Sequence, residues 1–146
     1  INNVLRFKAA RTGGKEKGMD RLRDSYLLFY LAGFSFLLPL QWVERVSAMS
    51  ERDPELPLAV GGGMEFPPVE TGQPYLIIVR CRDLRFGIGA ESVAGLAEIG
   101  EERIHGIPEG VMSSHNRYLK AMALLEGEDG GYDPAFVLDP LAMGLE

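Results

Sequence analysis

Two stretches decide the fold: YLLFYLAGFSFLLPLQWVERV at residues 26–46 and YLIIVRCRDLRFGIGAESVAGL at residues 75–96. They are copies of one pattern. Tyr26, Leu27, Leu28, Phe29 and Tyr30 align with Tyr75, Leu76, Ile77, Ile78 and Val79 at an offset of 49. Phe34, Phe36, Leu38, Leu40, Val43 and Val46 align with Leu84, Phe86, Ile88, Ala90, Val93 and Leu96 at an offset of 50. The one-residue slip falls where Ala32-Gly33 faces Cys81-Arg82-Asp83, the place for a tight turn. Each copy therefore reads as strand, hairpin turn, strand, then a short helical or looped piece. In the first copy apolar residues occupy both parities, so both faces of its opening strand are expected to be covered, as at a seam between two packed barrels or sheets.

The repeat also settles a membrane question. Residues 25–43 carry no charge and are long enough to span a bilayer as a helix. The period-two run Phe34, Phe36, Leu38, Leu40 is a strand signal, and Pro39 would break a helix interior. The second copy holds Arg80, Arg82, Asp83 and Arg85, which lipid does not accommodate cheaply. If the copies share a fold, the first is a buried hairpin, and no direct membrane insertion is expected.

Outward from the repeats, residues 50–74 carry a Gly61-Gly62-Gly63 run and five prolines, which suit loop and short edge strand. The glycine triplet is followed by Met64, Glu65 and Phe66 with no lysine nearby, unlike a phosphate loop. Residues 118–125 are a strand candidate whose Ala, Met and Leu content equally suits a helix; with 135–138 they frame an acidic, glycine-rich turn at 126–132, the pattern of a third hairpin. The chain has 146 residues, 46% of them hydrophobic and 25% charged, enough for one ordinary core and incompatible with wholesale disorder. One cysteine excludes an internal disulfide framework, and a reducing compartment fits.

The net charge of −6 is uneven. Residues 1–24 hold seven Lys/Arg against Glu16, Asp20 and Asp24, leaving +4 there and −10 on the rest. This basic arm has few aromatics and precedes an acidic body that would repel a phosphate backbone, so a solvated tail is expected and nucleic acid is not. It contains no apolar run of the kind a signal peptide needs.

Residue types that could carry chemistry are scattered. His105 and His115 are the only histidines and their spacing does not suit one metal site. Cys81 stands between Arg80 and Arg82, cations that can lower a thiol pKa, but no histidine base is adjacent. Ser113-Ser114-His115 lies outside any nucleophile-elbow motif. Glu101-Glu102 and Glu126, Glu128, Asp129 read as solvated acidic clusters, and Trp42 and the phenylalanines as core. No catalytic, cofactor or metal residues are assigned.

In order and spacing these segments resemble the CheW-like domain, the chemotaxis coupling module. Val43 and Val46 fit its first half. Residues 75–99 resemble its strand-hairpin-strand ending in D-x-V-x-x-V/L, with Glu91 at the acidic position. IPEGVM at 107–112, YLKAMALLEG at 118–127 and AFVLDPLAM at 135–143, with Leu138-Asp139, fit its closing strands. The resemblance covers residues 26–143. It implies a mainly β fold of two small intertwined five-stranded barrels with short helical turns, formed by a single domain over 25–146 after a flexible arm at 1–24. It also implies a non-enzymatic cytoplasmic adaptor whose partners are a histidine kinase regulatory domain and a chemoreceptor cytoplasmic tip, with homodimerisation open. A small β-barrel enzyme or ligand-binding domain is the alternative.

The departure from the family lies in the middle. On its segment G-x-x-N-L-R-G-x-x-x-P-V-x-D, Gly63, Pro67, Val69 and Glu70 can be placed, but Gly62 stands where the arginine would be and Val60-Gly61 where Asn-Leu would be. The resemblance makes this region partner-binding surface, so Gly62, Gly63, Met64, Phe66, Pro67 and Val69 are the candidate interface. Loss of the cation predicts that the usual partners bind weakly or not at all, with Met64 and Phe66 carrying the contact instead. The repeat itself predicts a strand-dominated far-ultraviolet circular dichroism spectrum from protein purified without detergent; a helical spectrum, or recovery only from membranes, contradicts it.

Overall fold

The computed structural model describes residues 24–58, 72–108, 110, 118–127 and 129–142. The first repeat forms strands β1 (Ser25–Leu31), β2 (Phe34–Pro39) and β3 (Val43–Ala48), with a 3₁₀ turn at Leu40–Trp42. The second forms β4 (Tyr75–Cys81), β5 (Leu84–Ala90) and β6 (Ser92–Glu98). The two-residue strand β7 (Ile104–His105) and the hairpin β8 (Leu119–Glu126) and β9 (Tyr132–Leu138) complete the described strands.

Both hairpins turn on two residues, Ala32-Gly33 and Arg82-Asp83, closed by the pairs Leu31↔Phe34 and Cys81↔Leu84. No slip separates the copies: their registers coincide at an offset of 50 throughout. Ala32 (φ 55°) and Arg82 (φ 57°) occupy the same left-handed position in the two turns. The aligned tyrosines, Tyr26 and Tyr75, are thus not structural counterparts; Tyr26 corresponds to Leu76.

The piece expected to be helical or looped is a strand in each copy. It was invisible as a strand because its partner is far away in sequence. β3 pairs with β4 through Val43↔Val79, Val46↔Ile77 and Ala48↔Tyr75. β6 pairs with β1 through Val93↔Phe29, Leu96↔Leu27 and Glu98↔Ser25. These are the same contacts shifted by 50, with the halves exchanged. Even the bulges correspond: Glu44 is the extra residue in β3 and Ala94 in β6. Each half lends its third strand to the other, the reciprocity of an approximate two-fold relation.

The described strands form a six-stranded sheet, β6-β1-β2-β9-β8-β7, and a three-stranded sheet, β3-β4-β5. Neither closes by pairing among the described strands, so the mainly β fold is as expected while the two five-stranded barrels are not confirmed. In the larger sheet no ladder joins its two edges, β6 and the very short β7. In the smaller one, the counterpart of the parallel β2–β9 pairing is, among the described residues, the bridge Leu58↔Gly87, at the position equivalent to Val137↔Leu37.

Burial follows from the exchange. Leu27, Phe29 and Leu31 point into a central core shared with Phe36, Leu38, Val43, Val46, Ile77, Val79, Phe86 and Ile88. Phe29 and Phe36 lie with ring centroids 5.6 Å apart. On the other face of β1, Tyr26 and Leu28 join Leu37, Ile99, Val137 and others in a second core. Their equivalents Leu76 and Ile78 join Met49, Leu56 and Leu58 in a third. So β1 is covered on both faces, as its double-parity apolarity requires. Among the described residues no helix is long and apolar enough to cross a membrane.

One difference between the halves is volumetric. Leu37 fills the second core, whereas its equivalent is Gly87. A Cβ there would lie 2.7 Å from Leu76 Cδ1 and 3.2 and 3.3 Å from the Leu56 and Leu58 methyls. The missing side chain admits the 56–58 segment, whose Pro57 carbonyl accepts from the Gly87 amide at 2.8 Å.

Glu44, the bulged residue, pins the three-stranded sheet from its outer side. Its carboxylate accepts from Arg85 Nε at 2.9 Å and Nη2 at 3.0 Å, and from Arg80 Nε at 3.3 Å. Arg80 and Arg85 are cross-strand neighbours, an unfavourable pairing that the carboxylate relieves. The paired hydrogen bonds from Arg85 hold the Glu44 carboxyl below the usual range; burial opposes them, and Arg80 assists.

Two outcomes follow. Gly87→Ala should destabilise the fold by about 1–3 kcal/mol through overpacking, read as a lower midpoint in urea. Glu44→Gln should cost about 1 kcal/mol at neutral pH. Because the folded carboxyl titrates below the unfolded one, the contribution is complete above the ordinary carboxylate range and vanishes as pH falls through the folded value. Denaturant midpoints of wild type and Glu44→Gln should therefore converge in acid; a gap independent of pH contradicts this.

Candidate functional site

Gly62, Gly63, Met64, Phe66, Pro67 and Val69 lie outside the described residues, as does His115. His105 is exposed on β7, paired with Met122 of β8. Cys81 is the last residue of β4 and fully buried, not displayed at the turn. Burial pushes its thiol pKa up, Asp139 adds to this, and the opposing pull of Arg82 is the weaker effect. The thiol is held protonated, so the two flanking arginines do not activate it. No group of three or more His, Cys, Asp or Glu side chains that could hold a metal occurs among the described residues.

The acidic turn is ordered by its own side chain. Asp129 Oδ1 accepts from the Gly131 amide at 3.0 Å, and the Gly127 amide donates to the Gly131 carbonyl at 2.7 Å. Glu126, Asp129 and Asp133 are exposed there. Together with Leu28, Tyr30 and Ser35 of the first hairpin they line a cleft of about 560 Å³. A second cleft, of about 590 Å³, is lined by residues that include Tyr26, Trp42, Glu101, Lys120, Asp139 and Leu141. Burial raises the Tyr26 phenol pKa, and Asp24 and Glu101 reinforce the rise, so that group presents a neutral hydroxyl.

Apolar side chains also reach solvent. Phe34 is 54% exposed, although its ring lies 6.3 Å from those of both Phe36 and Phe136. Leu96, 50% exposed, stands on edge strand β6, whose side chains alternate between exposed and half-buried. An aromatic supported from beneath and, among the described strands, a strand at the sheet edge are features of protein-contact surface. The reading of every phenylalanine as core misses Phe34; its place at the mouth of a two-residue turn, opposite Leu31, is the available clue.

The charged surface was also missed in part. A two-residue turn at 82–83 necessarily sets Arg80 opposite Arg85, so the pair was legible from the hairpin alone. The capture of Glu44 from the first repeat was not, since it depends on the strand exchange.

No family model matches the chain, and no curated protein matches it in sequence. Solved structures do. The crystal structure of the scaffolding protein TtCheW from Thermoanaerobacter tengcongensis superposes with a TM-score of 0.53 at 14% sequence identity, covering 80% of this chain and 89% of that one. Together with the 50-residue repeat, the mainly β composition and the sparse helix, that likeness establishes that the chain has a CheW-like fold.

Proposed function

We propose that the chain is a non-enzymatic, cytoplasmic adaptor of the chemotaxis type, joining a chemoreceptor tip to a histidine kinase regulatory domain through protein contacts. The observation that carries this reading is the likeness of fold to a scaffolding protein over most of the chain. The exposed Phe34 and the accessible β6 edge support it, since adaptors gain affinity from apolar anchors and strand addition. In this reading a basic arm at 1–24 precedes one CheW-like domain over 25–146, with each half a small barrel-like lobe.

The partner contact is assigned to residues 60–70, with Gly62, Gly63, Met64, Phe66, Pro67 and Val69 as its members. Glycine at 62 removes a charge-assisted hydrogen bond of about 1.5–3 kcal/mol, one to two decades in affinity. Phe66 and Met64 supply apolar contact in its place.

Titration of the full chain with a chemoreceptor-tip fragment and with a kinase regulatory domain, followed by calorimetry, tests the assignment. Saturable binding of either is expected, weakened about tenfold by Phe66→Ala and strengthened by one to two decades by Gly62→Arg. Failure of both fragments to bind, with no binding gained on Gly62→Arg, overturns the adaptor reading. Binding indifferent to Phe66→Ala moves the contact away from 60–70.

A further inference from the structure

Five neighbouring strands of the larger sheet each give one residue to a single cleft of about 590 Å³: Tyr26 of β1, Pro39 of β2, Val137 of β9, Ala121 of β8 and Ile104 of β7. A sheet that lines one cleft from β1 round to β7 is curved, and the cleft opens on its inner face. Short side chains keep it open. The core on that face is built with Ala121, Ala123 and Ala135, where the central core uses Phe29, Phe36 and Phe86. Beyond the strand ends, Trp42 and Leu141 extend the apolar wall. The mouth of a curved sheet is a favoured place for a small ligand.

The charged groups around this cleft carry both signs and leave them unmatched. Glu101, Lys120 and Asp139 line it, and none of the three forms an ion pair among the described residues. Asp139 is held in place by the Leu141 amide, which donates to its Oδ1 at 3.1 Å. Glu101 and Lys120 are exposed, so both are within reach of a molecule arriving from solvent. Tyr26 is buried at the cleft. Burial first, then the charges of Asp24 and Glu101, keep its phenol protonated, so its hydroxyl can donate as well as accept.

We propose that this cleft binds a free α-amino acid with an apolar side chain, its ammonium on Glu101 and Asp139, its carboxylate on Lys120 and its side chain against Ala121, Val137 and Trp42. Charge selects that class. A simple amine is opposed by Lys120, and a simple carboxylate meets two carboxylates of its own sign. An uncharged apolar molecule gains nothing from any of the three. A zwitterion with an apolar body satisfies all three and also uses the apolar floor. A ligand of about nine non-hydrogen atoms in an open, hydrated cleft is held with a dissociation constant of about 1 mM. This site goes beyond the adaptor reading and does not rest on it, because it uses neither residues 60–70 nor Phe34.

Trp42 is the single tryptophan of the chain and stands in the cleft, so its fluorescence reads occupancy directly. The full chain is titrated at neutral pH with L-leucine and with two analogues that each lack one charge, 3-methylbutylamine and 4-methylpentanoate. L-leucine should shift the Trp42 emission saturably, and each analogue should bind at least about tenfold more weakly, the effect of one lost charged partner. Lys120→Gln should weaken L-leucine about tenfold without weakening 3-methylbutylamine, and Glu101→Gln should weaken L-leucine about tenfold without weakening 4-methylpentanoate. Both positions are exposed, and circular dichroism of each variant confirms its fold. No saturable shift with L-leucine up to about 20 mM, well above the expected constant, overturns the proposal. So does an analogue that binds as tightly as L-leucine, or L-leucine binding that neither variant weakens.

Discussion

Everything in this structure depends on the exchange of third strands between the halves. Left to itself, each repeat is a two-stranded hairpin, which is marginal in water. β3 completes a sheet only by pairing with β4 of the other half, and β6 only by pairing with β1. The pairing brings the inner faces of both hairpins together, so that Leu27, Phe29 and Leu31 meet Ile77, Val79 and Phe86 in one core. Fully burying residues of this size is worth about 1.5–3 kcal/mol each, and no half achieves it alone. The bulges at Glu44 and Ala94 are part of the device, since each shifts the register of the lent strand.

Equivalent positions then diverge in what they are used for. Leu37 is a core filler, and Gly87 is an empty place that lets Leu56 and Leu58 approach. Ala94 is featureless, whereas Glu44 gathers two arginines. Tyr30 and Ser35 form the floor of a cleft where Arg80 and Arg85 form a charged ridge. A backbone relation that is nearly symmetric thus supports two chemically distinct surfaces.

How much of this was legible depended on sequence distance. The two hairpins, their turn positions and the double coverage of β1 followed from local periodicity, because each pairing partner lies within fifteen residues. The aligned Tyr26 and Tyr75 misled by one position: side-chain identity was matched where pairing register governs. The strand character of Val43–Ala48 and Ser92–Glu98 was lost because their partners lie tens of residues away. In β6 the run Ser-Val-Ala-Gly-Leu-Ala-Glu has weak strand propensity of its own. For the site, the Arg80–Arg85 pair was implicit in the hairpin, but Glu44's role and the exposure of Phe34 required the tertiary arrangement.

The reciprocal pairing also governs how the molecule assembles in time. Val93 must find Phe29, and Glu98 must find Ser25, across more than sixty intervening residues, so the decisive contacts are non-local and their closure entropy is spent before any reward arrives. Neither half can be completed until both hairpins exist, and neither can be opened without exposing the other. Amide protons along β1 and β4 should accordingly exchange through one collective opening. A nascent chain holding only the first repeat lacks the strand that pairs with β3 and leaves its apolar face uncovered until synthesis has delivered the second.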